Sequence, residues 1–165
     1  MSKRRDGREA AVQYLYQLDI HGDLRLDLSD DFWSIRESSA AVRDFAKSLI
    51  DGVQEHRVEV DERIAKVAQN FTFDRLNTVD RNILRLAVYE MFYNFDVPPV
   101  VAINEAIEVA KAFGGEDSGK FVNGILDKIK LDVTRPLRDA PGAKKPWQSK
   151  PQRPHFPKTT QEAQH

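Results

Sequence analysis

The chain has 165 residues, 41% of them hydrophobic and 31% charged, a formal net charge of −1 and no cysteine. That length suits one domain around a single core, and the lack of cysteine excludes a disulfide framework, a thiolate zinc site and a cysteine nucleophile. The apolar runs are too short to cross a membrane and no apolar segment follows the basic N-terminus, so a cytoplasmic protein is expected.

Apolar spacing is helical through residues 1–134. Lys3, Arg4, Arg5 and Arg8 open the first helix as a basic cluster, and Ala11, Val12, Leu15, Tyr16 and Leu18 give it one broad apolar face. HGDLRLDLSDD then reads as a loop. Val42, Phe45, Ala46, Leu49, Ile50 and Val53 mark an amphipathic helix, and Val60, Ile64, Val67, Ala68 and Phe71 mark another that starts near Val58. TVDRNILRLAVYEMFYNF is apolar on more than one side, as a helix in the middle of a bundle should be. No segment alternates with a two-residue period. The fold class is therefore all-α, a single domain of six or seven helices around a central hydrophobic one.

The stretch FGGEDSGKF, residues 113–121, spells most of a phosphate-binding loop, with Gly114, Gly119 and Lys120 at the spacing that motif uses. Phe121 stands where a magnesium-binding hydroxyl is needed, and Glu116 and Asp117 would repel phosphate. The preceding segment, from Pro98 and Pro99 to Phe113, has helical spacing and not that of a strand. The stretch reads as helix, glycine stop, an N-cap at Asp117 or Ser118, and a last helix through Val122, Ile125, Leu126 and Ile129.

Composition changes sharply near residue 134. Residues 135–165 hold six of the eight prolines and seven Lys/Arg against Asp139 and Glu162; they carry +5 of a total of −1, which leaves −6 on residues 1–134. The expected organisation is a helical domain over 1–134 and a disordered basic tail over 135–165, a solubilising extension or a weak attractor of phosphate. An acidic body with basic ends argues against coating any nucleic acid but allows a localised site.

Chemistry is hard to place. An inward di-metal carboxylate site requires two histidines that each lie three residues after a glutamate; of the four histidines only His165 does, after Glu162 in the expected tail, and Glu90, Glu105 and Glu108 read as solvated or paired with Lys and Arg. No nucleophile elbow is present. What remains suits binding. Arg5 and Tyr16 are eleven residues apart, which puts them within roughly 20° on one helical face. Guanidinium and exposed ring together fit single-stranded nucleic acid; Tyr16 as an ordinary core residue fits the same spacing.

Three blocks, RRDGREAAVQYLYQLD, NFTFDRLNTVDRNILRLAVYEM and VPPVVAINEAIEVAKAFGGEDSGKFVNGILD, closely resemble the NusB family of transcription antitermination proteins over roughly residues 3–130. The resemblance implies an all-helical, non-catalytic RNA binder without a cofactor. NusB-like proteins pair with NusE, which is also a small-subunit ribosomal protein. The pair binds boxA, a short single-stranded element of ribosomal RNA leaders and spacers, and helps load an antitermination complex onto RNA polymerase. Both monomers and homodimers occur in the family.

Carried over by position, the resemblance implies an RNA surface of Lys3, Arg4, Arg5 and Arg8, then Tyr16 and Phe71, then Asp117, Ser118, Lys120 and Phe121. The partner-facing surface falls on Asp80, with Arg81 and Arg85 beside it; Arg85 also reads as an internal ion-pair partner of Glu90 or Glu105. Three departures stand out, one being the basic tail, an extra that is expected to add non-specific affinity. Gly7 replaces a helix-favouring residue at about 1 kcal/mol of propensity relative to Ala, so the first helix is expected to fray until RNA binds. Phe71 replaces a more common Trp or Tyr and keeps only the stacking face. The competing readings are a NusB-like domain of the kind carried by RNA cytosine methyltransferases, for which a tail of 31 residues is too short, and a stand-alone helical interaction module without sequence-specific RNA binding.

Overall fold

The structure is a computed structural model that describes residues 2–23, 27–68 and 76–138. Helix α1 spans Lys3–His21. Ser2 caps it by accepting the Arg5 N–H at 3.1 Å, and Gly22, at φ 80°, ends it in the left-handed conformation that glycine adopts without strain.

Helix α2, Ser29–Ile35, occupies part of the stretch expected to be loop. It is held from its side chains: Phe32 packs edge-on against Tyr14 at 5.2 Å and against Trp33 at 4.8 Å, and both Phe32 and Trp33 are buried. Seven residues are too few to display a period. Helix α3 is Ala40–Glu55, with Ser39 accepting the Val42 N–H at its start. Helix α4 is Arg57–Val67, capped at Ala68, so it ends before Phe71.

Helix α5, Thr78–Tyr93, begins on the Asn77 side chain, which accepts the Val79 N–H, and buries Asn82 to Val88 without a gap. It packs on α1, α3, α4 and most extensively on α6, which makes it the central helix that its all-round apolar sequence required. Helix α6, Pro99–Ile129, is broken at Gly115, whose φ of 81° and ψ of −171° lie in a region essentially reserved for glycine. The break divides α6 into the two arms expected from the double glycine. The second arm folds back so closely that a Cβ on Gly119 would sit 2.8 Å from Lys111 Cγ. A short 3-10 turn, Lys130–Asp132, follows.

Gly7 carries a correction. Helix α1 runs unbroken through it, and a Cβ there would lie 2.6 Å from Phe45 Cδ1. The glycine lets α1 sit close on α3, and tertiary packing holds the turn that propensity alone would let fray. The domain edge also moves. Arg135 donates to the carbonyls of Glu90, Met91 and Val97 at 2.7–2.9 Å, and the Val100 N–H reaches the Leu137 carbonyl at 3.1 Å. Arg135 thus caps the C-terminal carbonyls of α5, and the body extends at least to Leu137. The rest of the expected tail, 139–165, lies outside the described residues.

Candidate nucleic-acid interface

The site is built on α1 and the two arms of α6. Lys3 and Arg4 are exposed at the start of α1, and the Arg4 guanidinium lies 5.3 Å from the centre of the Phe45 ring. Arg5 reaches across to the first arm of α6. Its Nε donates to Glu105 Oε2 at 2.9 Å and its Nη2 to Oε1 at 3.2 Å. The hydrogen bond with Glu105, and then that carboxylate's charge, raise the Arg5 pKa above its ordinary value.

Three turns along the same face of α1, Tyr16 is half-buried and lines a groove of about 510 Å³ together with Gln17, Ile35, Val79 and Phe113. Phe113 stands at the end of the first arm of α6, just before the break, and is 38% exposed. Beyond the break, Asp117 and Lys120 are exposed, while Phe121 is half-buried and packed against the core. Ser118 is buried and its hydroxyl donates to Asp80. That contact fastens the second arm to the first turn of α5 beside Val79, one wall of the groove. The structure therefore links the Tyr16 groove to the second arm of α6 through Val79, Asp80 and Ser118, with Arg5, Arg4 and Lys3 about 16–20 Å from Tyr16 along α1.

Several expected residues do not belong to that surface. Arg8 is 3% exposed and gives both Nε and Nη2 to the carboxylate of Glu90 at 2.8 Å; Glu90 is itself 1% exposed. Burial works to lower the Arg8 pKa, and the hydrogen bonds and charge of Glu90 outweigh it, so the net shift is upward. Arg8 is a core ion pair and not an RNA contact. Arg81 is turned inward onto Asp19 at 2.8 Å. Arg85, also buried, binds Asp61 at 2.8 and 3.1 Å and Asp19 at 3.1 Å, so its partners are not the Glu90 or Glu105 expected from sequence. Neither arginine presents its charge to a partner. Asp80 is half-buried and takes the Ser118 hydroxyl. Phe71 lies outside the described residues.

Sequence reasoning missed three elements of the site. Phe113 was counted in an apolar stripe; its position at the end of the stripe, against a double glycine, is the signal that it overruns the core. Ile35 belongs to the unpredicted α2. Glu105 gave its signal as a carboxylate close to the apolar stripe of α6, but its partner could be found only in three dimensions.

A model of the NusB family matches residues 5–130. The transcription antitermination protein NusB of Myxococcus xanthus is 43% identical over 141 residues, covering 82% of this chain and all of the relative. Among solved structures, T. maritima NusB superposes with a TM-score of 0.69 at 37% identity, covering 82% of this chain and 95% of that one. A chain from the crystal structure of antitermination factors NusB and NusE in complex with dsRNA gives a TM-score of 0.66 at 30% identity, covering 79% and 98%. A family match over most of the helical body, and relatives covered from end to end, establish that the chain belongs to the NusB family.

Proposed function

We propose that this chain is a transcription antitermination factor. With a NusE-type ribosomal protein it binds the single-stranded boxA element of ribosomal RNA leaders and spacers, and it joins an antitermination complex on RNA polymerase. It acts in the cytoplasm, by binding and without catalysis. The RNA surface comprises Lys3, Arg4, Arg5, Tyr16, Asp117, Lys120 and Phe121, with Phe71 as a further stacking ring. Residues from 139 onward form a basic tail that adds sequence-independent attraction. Asp80 acts through Ser118, fixing the turn that faces RNA.

The observation that carries this reading is the groove lined by Tyr16, Val79 and Phe113, with the second arm of α6 held through Ser118 to Asp80 next to Val79, at the far end of the α1 face that bears Arg5. Rings at half exposure offer faces for stacking bases, and Lys3 and Arg4 at the start of α1 suit the backbone. No helix among the described residues is long and apolar enough to cross a membrane.

Fluorescence anisotropy of a labelled boxA-type RNA, titrated with the chain alone and with NusE, tests the reading. Selective binding over a scrambled strand, tightened by NusE and weakened at least tenfold by Phe121→Ala in a folded variant, is the expected result. Stacking of one base is worth about 1–3 kcal/mol, which sets that factor. Equal binding of both strands, or none with NusE present, would leave a helical protein-interaction module.

A further inference from the structure

We propose that Arg5 reads the edge of a single-stranded guanine, positioned for that by Glu105, and that it is not a phosphate contact; the assignment rests on the RNA reading above. A guanidinium has five N–H donors in a planar fork. Glu105 engages the Nε/Nη2 side of that fork, at 2.9 and 3.2 Å. The Nη1/Nη2 end keeps its donors, and the side chain is 35% exposed. Glu105 thus fixes the plane of the guanidinium and leaves one bidentate edge open.

The local charge decides what that edge takes. Glu105 neutralises Arg5 at contact distance, and Glu9 and Glu108 also act on it electrostatically. A phosphate approaching Arg5 therefore meets a guanidinium already paired with the Glu105 carboxylate. A neutral base edge is not repelled by that carboxylate. Guanine offers two adjacent acceptors, O6 and N7, matched to the fork, whereas adenine places an amino donor where O6 would be. Single-stranded RNA leaves this edge accessible.

Arg4, one residue earlier, is the contrast. It is exposed, rests on the Phe45 ring and makes no ion pair among the described residues. With Lys3 it keeps its full charge for the backbone.

The test uses the full chain with NusE and a boxA-type RNA whose positions are set in turn to guanine, adenine or 7-deazaguanine, each measured across a salt series. For the wild type, one position is expected to favour guanine over both alternatives by about tenfold. Arg5→Ala removes that preference and leaves the salt slope unchanged. Arg4→Ala keeps the preference and lowers the slope by about 0.7, as loss of one phosphate contact requires. Glu105→Gln lowers the preference and steepens the slope, because Arg5 turns to phosphate.

Far-UV circular dichroism checks that each variant is folded. The assignment is overturned if no position prefers guanine, if Arg5→Ala lowers the slope while leaving base preferences intact, or if Glu105→Gln changes neither. Failure of the wild type to distinguish boxA from a scrambled strand is a different result: it removes the RNA reading, and this assignment with it.

Discussion

Arg5 and Arg8 stand one turn apart on α1, and each gives two hydrogen bonds to a glutamate from another helix. The side chains of Arg8 and Glu90 are 4% and 1% exposed, those of Arg5 and Glu105 35% and 20%. In sequence the two arginines are equal members of one basic cluster. In the fold, burial separates them. Arg8 and Glu90 have both given up water, and each is tolerable only because the other is there. Arg5 and Glu105 keep part of their hydration, so their attraction is screened and contributes little to stability. The buried pair ties α1 to the central helix; the half-exposed pair sets the direction of a side chain that still has donors to offer.

The largest effect should come from breaking the buried pair. Arg8→Ala leaves the Glu90 carboxylate in the core without a partner, at a cost of about 3–5 kcal/mol. Urea denaturation followed by circular dichroism measures it. The double variant Arg8→Met/Glu90→Leu removes both charges and should recover most of that loss, since a well-packed apolar pair often matches a buried ion pair. A loss below about 1 kcal/mol for Arg8→Ala would mean that Glu90 is hydrated in solution, and the contrast with Arg5 would collapse.

How much of this was legible in the sequence follows from the range of each signal. The long helices were, because apolar spacing is local: the stripe of α3, the all-round apolar α5 and the double-glycine break in α6 all lie where the pattern put them. Helix α2 was not, since its stability comes from Phe32 and Trp33 packing beside Tyr14. The pairing of charges was the least legible, because it depends on which helices meet. One clue was present. Glu90 sits in a helix apolar nearly all round, where an ionised carboxylate requires a buried cation. Nearness in sequence pointed to Arg85, whereas the packing of α1 on α5 delivered Arg8. Arg135 was missed for the same reason: composition marked it as tail, and its bonds to the end of α5 depend on where the chain returns.

Gly7, between the two arginines, sharpens the comparison at a smaller scale. Gly7→Ala gains about 1 kcal/mol of helix propensity. It also places a Cβ 2.6 Å from Phe45 Cδ1, and overpacking typically costs about 1–3 kcal/mol. The clash should win by about 1 kcal/mol, because Phe45 projects from α3 onto α1, under the guanidinium groups of Arg4 and Arg8. Shortening the neighbour, Gly7→Ala/Phe45→Leu, should return stability to near the parent in thermal melts. Net stabilisation by Gly7→Ala alone would show that Phe45 yields freely and that α1 does not need the close approach.

The smallest effect on stability belongs to the half-exposed pair. Arg5→Ala removes the bond to Glu105 but strands no buried charge, since Glu105 turns to water. The expected loss is below about 1 kcal/mol, several times less than for Arg8→Ala. Part of it is offset by relief of the side-chain order that Arg5 holds in the pair. Denaturation midpoints of Arg5→Ala and Arg8→Ala, measured together at low and high salt, decide the matter. Arg5→Ala should lose even its small deficit as salt rises, because a screened pair has little left to lose; Arg8→Ala should keep most of its deficit, because ions do not reach the core. Equal, salt-independent losses would place both pairs in the scaffold and leave Arg5 nothing to give to RNA.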